Sequence, residues 1–485
     1  MCCPHLVAYI THIINECIKN SYFPKTWKHA HVLPLPKINE PQEMKDLRSI
    51  SILPILSKIM EKSLDKQIRG HINAFQILPS KQSGFREGYS CATALTSVTD
   101  DILRSLDNNQ ILALILLDFS KAFDLLNHEI LVAKLHHVGF KKSASDMILS
   151  FLSNRMQQVK LNNKVSSELM VSQGVPQGSI LGPLLYSIYT CSFDASLEYC
   201  DYHVYADDTQ IYMSFDRSDT LNATEKINAD LKNVTKFSED HLLQINANKT
   251  CAIVVGSNKH RQNVINDLKL SIGNSPINYT DSCKNLGLIL DKDLRFKAHV
   301  ASVLKKAYFS LKMIYAQRHY LSKDIKKNLC ELLVLSHFNF CDGIYGPCLD
   351  NLDKRRIQKA QNSCLRLIFG IRRPNPISHK LKVIKWLNMH NRRKLHMAVL
   401  YFKIVKTKVP TYLHNKLTFR TDVHNLLLRH RNTLTIPRHT KSIFRRSFSY
   451  NIATCAELVN CDLNFSVTHF KRNCRRMLFH SQCDS

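Results

Sequence analysis

Three aspartates of this 485-residue chain stand where carboxylates could hold metal ions. Asp118 directly follows the apolar run 111–117, and Asp207 and Asp208 lie inside segment 203–212, which is rich in strand-forming residues. The apolar run predicts a strand buried on both faces, and the second segment predicts a tight hairpin. Carboxylates at the ends of adjacent strands would converge on Mg²⁺, a hard cation that prefers oxygen ligands. Two Mg²⁺ ions held by these carboxylates would support nucleotidyl transfer.

An aspartate pair alone is a weak signal for such a site. Asp100 and Asp101 form another pair, without any strand context. An isolated pair is more often part of a solvated surface turn. The interpretation of Asp207 and Asp208 therefore depends on the elements that would position them.

Hydrophobic periodicity predicts a mixed α/β front half and a helical back half. Segment 31–37 is predicted to be an edge strand or an extended loop, because Pro34 and Pro36 cannot donate ladder hydrogen bonds. Gly370 and Pro374 predict a boundary at 370–376. The other predictions are a strand at 251–255 and helices at 6–18, 57–68, 127–135, from 179 onward, 221–242, 300–315, 325–337 and 352–369.

The net charge of +28 is concentrated in the back half of the chain. Residues 1–300 carry 32 basic and 30 acidic side chains, whereas residues 301–485 carry 35 and 9. The stretch 354–446 contains 24 Lys and Arg and a single acid, Asp422. This segregation predicts salt-dependent binding of a polyanion, a nucleic acid above all. The alternative is a basic surface that only keeps the protein soluble.

Several classes of protein are excluded by composition. The 16 cysteines show no C-x-x-C pair and no regular spacing, which argues against a secreted disulfide scaffold. The longest apolar run, 111–117, is far shorter than the roughly 20 residues of a membrane span. No basic residue precedes Lys19, unlike the start of a signal peptide. We therefore expect a soluble intracellular protein, with no membrane segment.

The C-terminal end contains five residues that could be mistaken for a zinc site. Their spacing matches neither a zinc finger nor a zinc knuckle, so a basic helix at 470–479, packed by its apolar side, is the preferred interpretation. The five residues are Cys461, His469, Cys474, His480 and Cys483.

Eight blocks follow one another along the chain. They are 27–37 (Trp-Lys-His-Ala-His-Val-Leu-Pro-Leu-Pro-Lys), 45–54 (Lys-Asp-Leu-Arg-Ser-Ile-Ser-Ile-Leu-Pro) with 58–62 (Lys-Ile-Met-Glu-Lys), 82–86 (Gln-Ser-Gly-Phe-Arg), 117–124 (Leu-Asp-Phe-Ser-Lys-Ala-Phe-Asp), 173–183 (Gln-Gly-Val-Pro-Gln-Gly-Ser-Ile-Leu-Gly-Pro), 205–208 (Tyr-Ala-Asp-Asp), 243–250 (Leu-Gln-Ile-Asn-Ala-Asn-Lys-Thr) and 284–290 (Lys-Asn-Leu-Gly-Leu-Ile-Leu). In this order the blocks resemble three fingers motifs and motifs A to E of the reverse transcriptases of non-LTR, LINE-type retrotransposons in the Jockey and chicken-repeat groups. The resemblance covers about residues 10–480.

The resemblance implies an α+β fold of the right-hand polymerase type, with fingers, a palm with an antiparallel sheet and a helical thumb, followed by a basic, mostly helical C-terminal region. The implied divisions are 1–100 (N-terminal helix and fingers), 101–280 (palm), 281–375 (primer grip and thumb) and 376–485 (nucleic-acid binding). The implied activity is that of an RNA-directed DNA polymerase. It would use two Mg²⁺ ions, an RNA template, a DNA primer and dNTPs.

The resemblance also assigns catalytic roles to individual residues. Asp118, Asp207 and Asp208 match the metal ligands, of which Asp208 is the one most often spared from direct coordination in the family. Lys249 matches a lysine of motif D that could donate a proton to pyrophosphate. Without the resemblance, Lys249 would be an ordinary lysine at the start of a strand.

Six further residues match nucleotide-binding positions of the family: Lys37, Arg48, Phe119, Phe123, Gln177 and Gly178. Lys37 and Arg48 would face the triphosphate, although as isolated residues they would be solvated surface. The Phe123 ring would exclude a 2′-hydroxyl and so select dNTPs, although such a residue could equally be a core phenylalanine. A side chain at Gly178 would obstruct the template.

Two departures from the family pattern leave other interpretations open. Ser49 stands where the family usually has proline, which predicts a looser loop around Arg48. The first motif starts at Trp27, which leaves no room here for the upstream endonuclease domain of the relatives. One alternative is an inactive or domesticated nucleic-acid-binding relic. Another is an RNA-dependent RNA polymerase, which would share the carboxylates but would not place Phe123 as a gate.

Overall fold

The structure, a computed structural model, describes residues 3–423, 434–458 and 462–484. Helices and strands are mixed up to residue 291, and the regular elements after it are helices. This confirms the predicted α/β front and helical back. The first elements along the chain are α1 (Cys3–Lys19), β1 (His29–Pro36), β2 (Leu47–Ile52), α2 (Ile55–Ala74) and α3 (Cys91–Asp107).

The middle of the chain supplies most of the strands. Its elements are β3 (Ile111–Leu117), β4 (Phe119–Ser120), α4 (His128–His137), α5 (Lys142–Leu152), β5 (Arg155–Leu161), β6 (Lys164–Val165), β7 (Leu169–Val171), α6 (Leu181–Tyr189), β8 (Asp201–Tyr205), β9 (Asp208–Phe215), α7 (Thr220–Asp240), β10 (Gln244–Ile245), β11 (Cys251–Val255), α8 (Asn258–Asp267), β12 (Ser271–Ile272), β13 (Ser275–Pro276), β14 (Asn278–Tyr279), β15 (Ser282–Asn285) and β16 (Leu288–Asp291).

A sheet near the N-terminus has the order β2-β1-β5-β6, with β7 also paired to β5. Strand β1 therefore lies between two neighbours, and the prediction of an edge strand or loop was wrong. The reason is the register: β5 pairs only with the first half of β1, from His29 to Val32. Pro34 and Pro36 lie beyond that stretch and face β2 alone, so their missing N–H groups disrupt no pairing with β5.

The central sheet has the order β14-β11-β3-β9-β8. Strand β3 lies in its middle, antiparallel to both β11 and β9. Ala113 and Ile115 of β3 belong to the core on one face, while Leu112 and Leu114 belong to the core on the other. Because all four side chains are fully buried, the predicted strand with two buried faces is confirmed.

Helices make up the regular structure after residue 291. They are α9 (Lys297–Ala316), α10 (Lys323–Leu329), α11 (Asp342–Cys348), α12 (Asn351–Phe369), α13 (Ser378–Val383), α14 (Met389–Thr407), α15 (Thr411–His414), α16 (Arg420–Val423), α17 (Phe448–Leu458) and α18 (Val467–Asp484). The helix predicted over 325–337 is instead α10 followed by a π-helical turn and a 3₁₀ turn. The predicted boundary at 370–376 falls after α12, but the second core continues past it to Phe444.

The C-terminal helices form a third core. Helix α18 contains the predicted basic helix and buries Phe470, Cys474 and Leu478. The Phe470 ring stacks on that of Phe402 in α14, with centroids 4.2 Å apart. Cys461 of the zinc alternative lies outside the described residues, and within them no group of three or more His, Cys, Asp and Glu side chains could hold a metal ion.

The described residues also bear on disulfides and membrane spans. No disulfide bond joins the cysteines whose side chains the structure describes. Among the residues that the structure covers, no helix has the length and apolar character needed to cross a membrane.

The Asp100–Asp101 pair, a surface turn by sequence alone, lies on α3 and anchors the C-terminal region. The Lys416 ammonium contacts both carboxylates, at 3.2 Å from Asp100 and in a hydrogen bond to Asp101. Asp100 also accepts hydrogen bonds from the Ser449 backbone N–H at 2.8 Å and hydroxyl at 2.7 Å. Burial alone would lower the pKa of Lys416, but the two carboxylates raise it above its usual value. The cation is therefore held charged between the two acids.

Asp107, at the end of α3, forms a second anchor. Its carboxylate accepts hydrogen bonds from the backbone N–H groups of Thr440 and Lys441, at 3.0 and 2.7 Å. Burial alone would raise the pKa of Asp107, but these N–H groups bring it below its ordinary value. Part of the basic C-terminal region therefore serves internal contacts.

Candidate active site

The three predicted metal-binding aspartates come together at one end of the central sheet. In the register of β3 and β9, Leu117 pairs with Thr209. Asp118 follows Leu117, and Asp208 precedes Thr209, so the two residues adjoin across the strand ends. Asp207 is at the tip of the β8–β9 hairpin. Antiparallel pairing thus joins residues about 90 positions apart in the sequence.

The carboxylates form a region of negative charge that neighbouring cations compensate only in part. Burial raises the pKa of Asp207, and the Asp118 charge raises it further. Burial and the charges of Asp207 and Asp118 raise the pKa of Asp208 to about 6. The positive charge of Arg48 works to lower the pKa of Asp207, and that of Lys284 works to lower the pKa of Asp208. A bound cation would relieve this repulsion.

The loop between β10 and β11 contacts the backbone of Asp118. The Asn246 backbone N–H donates to the Asp118 carbonyl at 2.8 Å, and the Asp118 N–H approaches the Thr250 hydroxyl at 3.5 Å. The Lys249 ammonium lies 3.7 Å from a carboxylate oxygen of Asp118 and is 69% exposed. The predicted catalytic lysine therefore lies at the site, free to move toward a bound group.

The donor set of this site suits Mg²⁺, since all three side chains are carboxylates. Their mutual effect on pKa places them near one another. They are not arranged as a closed ligand set, because no group of three or more metal-ligating side chains among the described residues is close enough to hold an ion. Metal binding by Asp118, Asp207 and Asp208 stays a prediction that requires side-chain adjustment.

Phe123 lies at the mouth of the site. Its ring stacks on the buried ring of Tyr186 at 4.6 Å and meets that of Phe85 edge-on at 6.0 Å. The ring is only partly buried, so one side remains accessible. Phe119 differs: its side chain is 7% exposed within the core, and its backbone pairs with Ile245. Only the main chain of Phe119 could contact a nucleotide.

Gln177 and Gly178 join the site to the N-terminal sheet. The side-chain amide of Gln177 donates to the Asp124 carboxylate at 2.8 Å. The backbone carbonyl of Gln177 accepts a hydrogen bond from the Ser51 N–H at 2.7 Å. A Cβ on Gly178 would lie 2.5 Å from the Ser51 carbonyl oxygen, and the φ of +126° also favours glycine. Gly178 is therefore fixed by contact with β2. A cavity of about 350 Å³ opens here, with Ser49, Ser51, Asp124 and Gln177 in its wall.

Lys37 and Arg48 lie on the hairpin formed by β1 and β2. Arg48 is exposed and close enough to lower the pKa of Asp207. The Lys37 ammonium instead donates to the Lys45 carbonyl at 2.9 Å, with no contact to the carboxylates. Arg48 and Ser49 belong to the paired strand β2, so the expectation of a loosened loop around Arg48 was wrong.

Gly84 is a residue of the site that the sequence analysis did not single out. Its loop crosses the β8–β9 hairpin, where the Ser83 N–H donates to the Val204 carbonyl at 2.8 Å. A Cβ on Gly84 would lie 2.4 Å from the backbone nitrogen of Ala206, the tip residue with a φ of +59°. Only glycine permits this approach. The Gln-Ser-Gly-Phe-Arg block contained the signal, but its contact partner, Ala206, lies far away in the sequence.

The same loop rests on the C-terminal region. The Ser83 hydroxyl lies 2.9 Å from Nε2 of His203 and 3.0 Å from the hydroxyl of Tyr412. Tyr412 in turn donates to the Thr93 hydroxyl at 2.9 Å. Burial lowers the pKa of His203 to about 3, so its ring is neutral at physiological pH. The β8–β9 hairpin, which carries Asp207, is thus supported by residues of the back half.

We expect Gly84→Ala to displace the hairpin and to lower primer extension by at least about 10-fold. A rise of about 1.4 kcal/mol in the activation free energy is enough for that loss. Gly70→Ala is the matched control: it lies in α2 with nothing within 4 Å of its Cβ. That variant should gain roughly 0.5–1 kcal/mol of stability and keep its activity. Extension assays with thermal unfolding would test both. Equal activity of the two variants would contradict the assigned contact.

The antiparallel strands β11, β3, β9 and β8, the carboxylates at the end of their sheet and the loop behind them define a polymerase-like site. A sequence profile of the reverse transcriptase (RNA-dependent DNA polymerase) family matches residues 35–290, more than half of the chain. The chain therefore belongs to the reverse transcriptase family. The matched range includes every predicted site residue from Lys37 to Lys249.

Similar proteins point to one branch of that family. The chain is 29% identical over 75% of its length to a probable RNA-directed DNA polymerase from transposon BS of Drosophila melanogaster. It is 28% identical over 78% of its length to the RNA-directed DNA polymerase from mobile element jockey of the same species. These matches confirm the predicted resemblance to LINE-type reverse transcriptases. The chain covers 40% and 42% of those two proteins.

Among solved structures, apo telomerase from Candida tropicalis matches 83% of this chain. The match covers 73% of that chain, at 12% identity and a TM-score of 0.40.

Proposed function

We propose that this protein is an RNA-directed DNA polymerase of a non-LTR retrotransposon. The observation that carries the proposal is the meeting of Asp118 with Asp207 and Asp208 at the end of the central sheet, beside the open ring of Phe123. In this proposal the central sheet is the palm, the β1–β2 hairpin with α2 is the fingers, and α9–α12 form the thumb. An RNA template, a DNA primer and dNTPs are the substrates.

Two Mg²⁺ ions, held by Asp118, Asp207 and Asp208, would activate the primer hydroxyl and neutralise the leaving pyrophosphate. The residues of the chain do the positioning. Arg48, which is close enough to lower the pKa of Asp207, carries a planar fork suited to triphosphate oxygens. Lys249 beside Asp118 can donate a proton to the pyrophosphate.

The β15–β16 hairpin carries the block 284–290, which resembles motif E, and it contacts the sheet that holds the carboxylates. The β15–β16 hairpin is tied to β9 by a hydrogen bond of 2.7 Å from the Asn285 amide to Gln210. Lys284 lies in the same hairpin, and its positive charge works to lower the pKa of Asp208. In the proposed polymerase this hairpin would hold the primer end against the carboxylates.

We expect Phe123→Ala to raise ribonucleotide incorporation relative to dNTP by at least about 10-fold. The ring rests on Tyr186, which is fully buried and keeps its plane fixed. Removing it opens space where a 2′-hydroxyl would lie. Competition between labelled dTTP and UTP on poly(rA) would measure the ratio. An unchanged ratio would exclude Phe123 as the gate.

The proposed activity is tested by primer extension with the purified protein. Oligo(dT) annealed to poly(rA), Mg²⁺ and labelled dTTP should give DNA product. The same assay with oligo(rU) and UTP distinguishes an RNA polymerase, which would extend the ribonucleotide primer instead. Binding of the hybrid without any extension would support the alternative of an inactive nucleic-acid-binding relic and overturn the proposal.

A further inference from the structure

Phe85 is held in a backbone conformation that a bulky residue rarely adopts. Its φ of +59° lies in the left-handed region, which glycine and asparagine occupy more readily. Backbone strain of this kind persists where the surrounding structure imposes it, and it is concentrated at functional sites. Phe85 follows Gly84, whose close contact with Ala206 needs glycine. That contact does not require a phenylalanine at the next position.

Two arginines hold the loop that carries Phe85. The Nη1 group of Arg69 donates to the Phe85 carbonyl at 2.7 Å. Arg69 is itself fixed on α2, because its Nε group donates to both carboxylate oxygens of Asp65, at 3.0 and 2.9 Å. The Nη1 group of Arg86 donates to the Gln82 carbonyl at 3.1 Å, within the same loop. The backbone of Phe85 is therefore tied both to α2 and within its own loop.

The ring of Phe85 contacts the ring of Phe123. The two rings are nearly perpendicular, at 84°, with centroids 6.0 Å apart. Phe123 also stacks on Tyr186, at 28° and with centroids 4.6 Å apart. The Phe123 carbonyl accepts a hydrogen bond from the Val175 N–H at 2.9 Å, which fixes its backbone. The Phe123 ring is thus held by Tyr186 on one face and by Phe85 at right angles to that stack.

We infer that Phe85 is a positioning residue for sugar selection, because it keeps the ring of Phe123 in place against Tyr186. The inference rests on the proposed function, in which Phe123 is the gate that excludes ribonucleotides. A gate of this kind discriminates only when its own side chain is locked by packing, since a ring that tilts leaves room for a 2′-hydroxyl. The contact also explains why this strained position carries an aromatic residue rather than glycine.

The test measures incorporation of labelled UTP against labelled dUTP on oligo(dT) annealed to poly(rA), with Mg²⁺. These two nucleotides differ only in the 2′-hydroxyl. Phe85→Ala should raise the ratio of UTP to dUTP incorporation by about 3- to 10-fold, within the range that loss of one edge-to-face aromatic contact supports. Phe75→Ala is the matched control and should leave the ratio unchanged. Phe75 is 70% exposed, and its ring packs on His71.

A double-mutant cycle shows whether Phe85 acts through Phe123. If it does, the two substitutions should not add, because a gate that is already removed cannot be loosened further. Phe85→Ala combined with Phe123→Ala should therefore give a ratio within about 2-fold of that of Phe123→Ala alone. Thermal unfolding reports whether each variant is folded. Phe85→Leu removes less volume and should shift the ratio in the same direction as Phe85→Ala.

Two results would overturn the inference alone. Equal losses of UTP and dUTP incorporation in Phe85→Ala, while Phe123→Ala does change the ratio, would mean that Phe85 only supports its loop. Additive effects of the two substitutions would mean that Phe85 meets the nucleotide directly. By contrast, a parent protein that extends no primer, or a Phe123→Ala variant with an unchanged ratio, would contradict the proposed function and the inference together.

Discussion

Replacing Asp118 or Asp207 by asparagine should lower primer extension by at least about 100-fold, with RNA binding little changed. Each substitution removes one negative charge from the end of the central sheet and leaves an amide that is a poorer ligand for a hard cation. The backbone of Asp118 would still be held by Asn246, so the loop should keep its position. Single-turnover extension and filter binding of the template–primer would separate chemistry from affinity.

Asp146→Asn is the matched control for these variants. Asp146 is an exposed residue of α5, outside the elements that carry the carboxylates. Its substitution removes the same charge and should leave extension within about 2-fold, as surface changes usually do. If Asp118→Asn extended primers as fast as Asp146→Asn, the assignment of the sheet end as the catalytic site would be wrong.

Lys416→Met should destabilise the protein by about 3–5 kcal/mol, the usual cost of removing one partner from a buried charge pair. Lys416 is 19% exposed, and Asp100 beneath it is 4% exposed. Without the ammonium, the two carboxylates would face each other at the interface between α3 and the C-terminal region. Denaturant unfolding at neutral pH would measure the loss.

Lys403→Met, at an exposed position of α14, provides the control and should have little effect. Asp101→Asn combined with Lys416→Met should recover part of the loss, because it removes one of the two unpaired charges. A loss of less than about 1 kcal/mol for Lys416→Met would place this ion pair with ordinary surface pairs. The Lys416 ion pair would then contribute little to anchoring the C-terminal region at α3.

The contacts of the C-terminal region with α3 limit which variants can test nucleic-acid binding by the basic back half. A protein cut after Asp350 would lose Lys416, Thr440 and Ser449 together, and the acids of α3 would lose their partners. Any change in salt dependence would then mix phosphate contacts with loss of the fold. Point substitution of exposed cations avoids this. Nucleic-acid binding by residues 376–485 stays a prediction.

Local sequence patterns were sufficient to predict the strand and the hairpin that carry the candidate site residues. The apolar run that ends at Asp118 specified a buried strand, and its bounds agree with β3 at both ends. The hairpin around Asp207 was also readable, because alternation and a two-residue tip are local signals. The order of eight motifs identified the family, since each motif is a contiguous stretch of chain.

Only the tertiary structure decided which residues support that site. Lys416 contacts Asp101 across 315 positions of sequence, and no periodic pattern encodes such a pairing. The sequence alone favoured a surface turn for Asp100 and Asp101 and a nucleic-acid role for the excess of Lys and Arg. The close approach of Gly84 to Ala206 was equally hidden, because a glycine needed for a loop and one needed for a contact look the same in sequence. Chain composition fixes how much charge a segment carries, but packing determines whether that charge faces a carboxylate or solvent.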